Sequence, residues 1–243
     1  MIQYLKAEHL KYKNTLVRRL IYLAPIITIL LALSSPLCFQ AEALNWWYTF
    51  LAAGCISLMC AFVQEKEVKK LKYRALFSLP ISIKKIWTAK IILVCCYLFI
   101  VCMLVCVGSF SGYLIAPRSI VITFGRVMIA SVVIAITSIW QIPFCLLLVK
   151  RFGLFVTIMI NSMVGVMIGV LVVDKSLWYL CPYSWTTRLM CPILGILPNG
   201  LMAKANDPLL NKNGMGITLI LAITLFIILT MYTSHQYSKG EVE

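Results

Sequence analysis

Over 91–115 the chain runs 25 residues without a charged side chain. Coiled into a helix, that run is about 37 Å long, more than the about 30 Å of hydrocarbon at the centre of a bilayer. Five more apolar blocks lie at 20–39, 46–63, 120–149, 152–173 and 216–234. Each reaches the roughly 17 residues that the shortest crossing requires. Composition closes the soluble alternative, with 62% of residues apolar, 12% charged and a mean hydropathy of +0.95, against about 25% charged in a globular domain. The expected fold is all-α: an integral membrane protein of six transmembrane helices, one domain over 1–243, with no room for a large catalytic unit.

Two prolines interrupt the blocks. Pro143 lies in the longest, 120–149, where its missing N–H predicts a kink, and Pro25 does the same early in the first. Polar residues fill 3–19 ahead of the first block, so a cleavable signal is not expected and the amino terminus should stay. Lysine and arginine then set the orientation. The segments before the first block, between the second and third, between the fourth and fifth and after the sixth hold 16 of the 22 basic residues, against 5 in the alternate loops. By the positive-inside rule both termini are cytoplasmic. The net charge of +14 is thus a topology signal, and without a nucleic-acid-binding module no nucleic-acid partner is expected. Of the ten cysteines, Cys55, Cys60, Cys95, Cys96, Cys102, Cys106 and Cys145 fall inside blocks and read as small buried hydrophobes, while Cys181 and Cys191 share a loop.

Three segments outside the blocks are more than tethers. In 1–19, Ile2, Leu5, His9, Tyr12 and Leu16 recur at helical spacing beside Lys6 and Lys13, which predicts an amphipathic helix on the inner leaflet or else a solvated basic tail. In 64–90, Val68, Leu71, Ala75 and Leu79 line one face of a short helix that Pro80 stops, and Ser82 is placed to cap a second helix opening with Ile83, Lys84 and Lys85. Such an elbow either docks a cytoplasmic partner or adheres to the membrane surface. In 174–215, Trp178, Tyr179, Tyr183 and Trp185 stand among apolar residues and Pro182, Pro192 and Pro198. Apolar irregular backbone must be buried in protein or held at the interface, so re-entrant or interfacial helices are expected over 177–197, then a turn at 198–200. The four aromatics are candidates either for anchoring at the headgroups or for substrate contact.

Catalytic equipment is sparse. No GxxxxGK[ST] phosphate loop, HExxH motif or serine–histidine constellation occurs, so neither a bound nucleotide nor a catalytic residue is expected. All eight acidic residues fall outside the blocks or at their rims, which argues against a proton- or sodium-coupled carrier. His9 and His235 stand near opposite ends of the chain, and neither a metal nor another cofactor is expected. What the blocks do carry is close-packing equipment. Asn161, Gly165 and Gly169 recur every fourth residue, a small-residue stripe for helix association within or between subunits, and Ser131, Ala135 and Ser138 form a comparable face.

In their order, these parts resemble the type 2 ABC exporter permeases. More narrowly, four runs resemble the lantibiotic immunity permeases of the MutE/EpiE type: the opening from Tyr4 to Lys13, the pair Ala24 and Pro25, the elbow Leu79-Pro80-Ile81-Ser82 with Lys90 after it, and Ile196-Leu197-Pro198-Asn199-Gly200. The likeness covers essentially the whole chain. It implies a non-enzymatic permease subunit that expels a lantibiotic peptide from the bacterial cell membrane. A separate ATP-hydrolysing subunit would power it, alongside a second, similar permease or an identical copy. A general exporter of another peptide, lipid or drug is the alternative. On either reading Val68, Leu71, Ala75, Leu79, Pro80, Ser82, Lys84 and Lys85 become the expected ATPase-coupling surface.

The charge asymmetry generates a direct test of orientation. In a cysteine-depleted background, an impermeant thiol reagent applied to whole cells is expected to label Asp207→Cys and to spare Lys13→Cys, Lys70→Cys and Lys239→Cys. Strong labelling of Lys70→Cys would reverse the assignment.

Overall fold

The computed structural model describes residues 1–66, 82–204 and 206–239. Among them the chain is helical and holds no strand, its one β contact being an isolated bridge between Ile196 and Met202.

Helix α1 (Ile2–Lys11) and helix α2 (Leu16–Ala32) meet at 78°. Asn14 makes the corner with a φ of 69°, a left-handed conformation that asparagine tolerates better than most residues, and Thr15 Oγ1 closes it by donating to the Tyr12 carbonyl at 2.8 Å. The helix is therefore shorter than the 1–19 segment: Leu16 opens α2, and of the expected stripe Tyr12 is fully buried while Ile2 is 70% exposed. Tyr12 donates to the Val63 carbonyl at 3.3 Å, and His9 Nδ1 lies 3.0 Å from the Tyr97 hydroxyl. These contacts hold α1 across one end of the bundle.

One apolar helical stretch covers Pro36–Gln64, built from α3 (Phe39–Trp46), a π-helical turn (Trp47–Leu51) and α4 (Ala52–Lys66). It begins well before the apolar block at 46–63 because Gln40, which interrupts the apolar pattern, is buried with its amide satisfied. Its Oε1 accepts from the Val121 and Ile122 amides at 3.0 and 2.8 Å, and its Nε2 donates to the Ile122 carbonyl at 3.0 Å. Helix α5 (Ile83–Ser109) follows, then α6 (Phe124–Ser138) and α7 (Gln141–Ile158). Pro143 does not kink a long helix here. The chain breaks at Ile139 and Trp140, and Pro143 sits in the first turn of α7, where no helical partner awaits its missing N–H.

A π-helical turn (Met159–Val164) joins α7 to α8 (Gly165–Val172). The stretch is folded back on itself. In an unbroken helix Gln141 and Asn161 would stand about 30 Å apart, yet Asn161 Nδ2 is 3.1 Å from Gln141 Oε1. The reversal falls at Gly153, whose φ of 80° and ψ of −178° are open essentially to glycine alone. The first arm of this hairpin runs parallel to α4: the Cys60 thiol reaches the Ile142 carbonyl, and four residues on in both helices Gln64 reaches the Leu146 carbonyl. Helices α9 (Pro182–Leu194) and α10 (Met215–Lys239) complete the chain.

Four stretches are long and apolar enough to cross a membrane: Pro36–Gln64, Lys84–Leu114, Gln141–Val172 and Met215–Tyr237. Joining α1 to α2 across their bend makes five. Ile56, Met59, Leu98, Val101, Ile134 and Ile142 are buried between them. On the outside Ile26, Met167, Ile220 and Met231 are 52% to 70% exposed, a periphery suited to hydrocarbon. One end of the bundle gathers Gln64, Trp87, Lys90, Lys150 and Tyr237, the basic end. The other gathers α3, Ile122 and the turn at Gly200, the loop end.

A Cβ at Gly153 would meet nothing within 4 Å, so Gly153→Ala probes backbone conformation alone. The variant is expected to lose about 1–3 kcal/mol of stability, read from reversible unfolding in mixed detergent micelles. An unchanged midpoint would contradict the hairpin.

Candidate functional site

The π-helical turn at Met159–Val164 carries the fully buried Asn161 at its centre. Its Nδ2 stands within 3.0 Å of the Ala53 carbonyl, 3.1 Å of Ser57 Oγ and 3.1 Å of Gln141 Oε1. Its Oδ1 accepts from the Tyr183 hydroxyl at 3.0 Å. One amide thus ties α4, both arms of the hairpin and α9 together, and uses both its donor and its acceptor groups. Ser57 is itself anchored, donating to the Ala53 carbonyl at 2.9 Å.

Gly165 and Gly169 explain how α9 comes so close. A Cβ on Gly165 would fall 2.3 Å from the Tyr183 ring, and one on Gly169 would fall 2.7 Å from the Tyr183 carbonyl oxygen. The stripe read from the sequence therefore packs inside the subunit, against an aromatic that was assigned a different part. Thr137 and Thr186 hydroxyls at 2.9 Å add a second tie from α6 to α9. The pattern that makes α9 a helix is short but clear: Pro182 in its first turn, Trp185, Leu189 and Ile193 facing inward, and Gly195 at a φ of 76° closing it.

The four candidate substrate aromatics fall into two groups. Trp185 is buried, donating its indole N–H to the Tyr179 carbonyl at 2.9 Å, and Tyr183 is held between Asn161 and Trp140, whose ring lies 4.9 Å away. Trp178 is half-buried under the Arg188 guanidinium at 5.5 Å, and Tyr179 is 44% exposed. Tyr179 is the exposed one of the four; Trp178 and Tyr183 are both half-buried, and of these Tyr183 already spends its hydroxyl inside the protein. Cys181 and Cys191 are both free thiols.

Of the expected coupling surface, Val68, Leu71, Ala75, Leu79 and Pro80 lie outside the described residues. Ser82 precedes α5 with an extended backbone, but it caps through its carbonyl, which accepts from Lys85 and Ile86 amides at 3.0 and 3.2 Å, rather than through its hydroxyl. Lys84 and Lys85 are exposed. Beside them lies a cluster that the charge count passed over. Lys90 is fully buried, its Nζ donating to Gln64 Oε1 at 3.4 Å, with the Trp87 and Tyr237 rings 5.2 and 5.5 Å away. Those rings stack at 4.2 Å, the Trp87 indole donates to Thr233 Oγ1 at 3.0 Å, and Lys150 lies 4.6 Å from the Tyr237 ring. The signal was present in the spacing of Trp87 and Lys90, which puts both on one helix face.

Among the described residues no group of three histidine, cysteine or acidic side chains could hold a metal. No family model, no curated protein and no solved structure matches the chain.

The two glycines separate by partner. Gly165→Ala is expected to destabilise by about 1–3 kcal/mol and to become nearly neutral in a Tyr183→Ala background, because its clash is with the ring. Gly169→Ala meets backbone and should stay costly in that background. Unfolding midpoints of the four-variant cycles check this, and equal rescue of both would refute the α8–α9 packing.

Proposed function

We propose that the chain is the membrane-spanning permease subunit of an ABC transporter that clears a lantibiotic or similar antimicrobial peptide from the bacterial cell membrane, with ATP hydrolysis on a separate partner chain. The observation that best supports this reading is the Asn161 joint. It links helices running from the basic end to a packed helix at the loop end, as a subunit that transmits motion across a membrane requires. In this reading α2, α3 with α4, α5, α6 with the first hairpin arm, the second arm, and α10 are six crossings. The basic end is cytoplasmic, with both termini on that side, and α1 lies on the inner leaflet.

The exposed Lys84 and Lys85, with the preceding elbow from Val68 to Ser82, meet the ATPase. A second, similar permease or another copy of this chain completes the path, and membrane lipid surrounds the rest. An amphipathic peptide in the outer leaflet meets Trp178 and Tyr179, because Tyr183 and Trp185 are already engaged within the protein.

The test uses the chain with its neighbouring ATPase in a sensitive host, challenged with a panel of lantibiotics and unrelated drugs. Selective protection against one lantibiotic is the expected result. Protection against chemically diverse drugs would instead favour a general exporter. Replacing Leu71 and Leu79 by aspartate is expected to abolish protection and release a co-purified ATPase while the helical bundle stays folded. ATP hydrolysis by the purified chain alone, or wild-type ATPase binding by the double variant, would overturn the account.

A further inference from the structure

At the loop end, the start of α3, the segment around Ser119 to Ile122 and the turn at Gly200 enclose a pocket of about 100 Å³. Gln40 fixes its shape, since all its amide bonds go to the backbone of Val121 and Ile122. Two oxygen groups in the wall remain uncommitted. Glu42 is half-buried and pairs with no cationic side chain among the described residues. Ser119 is 2% exposed, and its buried Oγ has no hydrogen-bond partner. A third oxygen lies close behind: Asn45 Oδ1 is buried and unpartnered, while its Nδ2 and Glu42 Oε1 both crowd Gly200, lying 3.0 and 3.5 Å from where a Cβ would stand. Gly200 escapes that clash only by lacking a side chain, and its φ of 84° suits the same residue.

We propose that this pocket binds a protonated primary amine. The wall offers acceptors, one of them anionic, and a buried acceptor left without a donor is costly. An ammonium brings three donors and one positive charge, two of the donors matched by the Glu42 carboxylate and the Ser119 hydroxyl of the wall. A quaternary ammonium, which has no N–H, would leave both wall oxygens without a donor. A metal ion is a poorer match, as the wall supplies a single carboxylate. The amine can come from a lysine side chain of a cationic peptide or from the headgroup of an aminophospholipid. Its recognition is the same in both. The inference stands apart from the transport reading, since it is read by binding to the purified chain.

The test is a titration of ethylammonium chloride into the full chain, held in phosphatidylcholine nanodiscs and followed by ligand-observed NMR. Saturable binding is expected, with ethyltrimethylammonium failing to compete. Glu42→Gln should weaken binding roughly ten-fold or more and Ser119→Val should also weaken it, while Asp174→Asn, which alters an exposed acid elsewhere, leaves it unchanged. Thermal unfolding confirms that each variant is folded, and Ser119→Val carries the test should Glu42→Gln fail to fold. Displacement of the probe when phosphatidylethanolamine is added to the disc assigns the site to a lipid headgroup; displacement by a lysine-containing peptide in phosphatidylcholine alone assigns it to a peptide. No saturable binding, equal binding of the quaternary analogue, or wild-type affinity in folded Glu42→Gln and Ser119→Val would overturn the proposal. None of those results touches the immunity assay, and failure of that assay leaves this site standing.

Discussion

A single buried amide organises the middle of this protein. In hydrocarbon an unsatisfied polar group costs several kcal/mol, roughly, so Asn161 can sit at the bundle centre only where Ala53, Ser57, Gln141 and Tyr183 all stand within reach. Those partners belong to α4, to the opposite arm of the hairpin and to α9. Their relative positions are therefore not independent. The reversal at Gly153 brings Gln141 level with Asn161, the bare surfaces of Gly165 and Gly169 let α9 approach, and that approach delivers the Tyr183 hydroxyl. A change at any one of these points removes a partner from the same amide.

The two ends solve the related problem of polar groups near lipid by different chemistry. At the loop end Gln40 acts as a piece of backbone, pairing with Val121 and Ile122 much as a neighbouring strand would, and so lets α3 begin inside a polar stretch. At the basic end the buried Lys90 Nζ meets the Gln64 side-chain oxygen and the faces of Trp87 and Tyr237. A ring face attracts a desolvated cation by about 2 kcal/mol, which offsets part of the loss of water. That same contact joins α5 to α4 and α10.

Apolar length was legible because lipid imposes it directly, and so were the helix over Pro182–Leu194 and the intimate packing at Gly165 and Gly169, since small residues at a four-residue spacing have few other uses. The partner of that stripe was not legible. Tyr183 and Trp185 carry the same local signature as headgroup anchors, and only the tertiary fold shows that they point inward. Likewise Gln40 looks like a loop residue until Val121 and Ile122 are placed opposite it, 82 residues away for the latter. The corner at Asn14 was hidden for a different reason: the apolar spacing of Tyr12 and Leu16 fits one helix, and a left-handed backbone conformation at Asn14 overrides it. The place of the hairpin was legible in Lys150 and Arg151, which part the apolar blocks at 120–149 and 152–173, while the reversal itself is made by Gly153 just beyond them.

In the proposed transporter these contacts suggest how motion at the basic end would reach the loop end. Lys90 sits two turns into α5, just beyond the exposed Lys84 and Lys85, and bonds to Gln64. Gln64 bonds in turn to the Leu146 carbonyl, so a displacement of the start of α5 acts on α4 and on the first hairpin arm together. These two run parallel and rise about 1.5 Å per residue, carrying the displacement rigidly to Ser57 and Gln141, where both meet Asn161. From there Tyr183 carries the polar contact onward to α9. A nucleotide on the partner can shift this chain of contacts only to the extent that the partner binds one arrangement better than the other. The arrangement described here, with every polar group of Asn161 satisfied, is one such state; a second would have to supply α9 with another partner for the Tyr183 hydroxyl, or carry α9, α4 and the hairpin together as a unit.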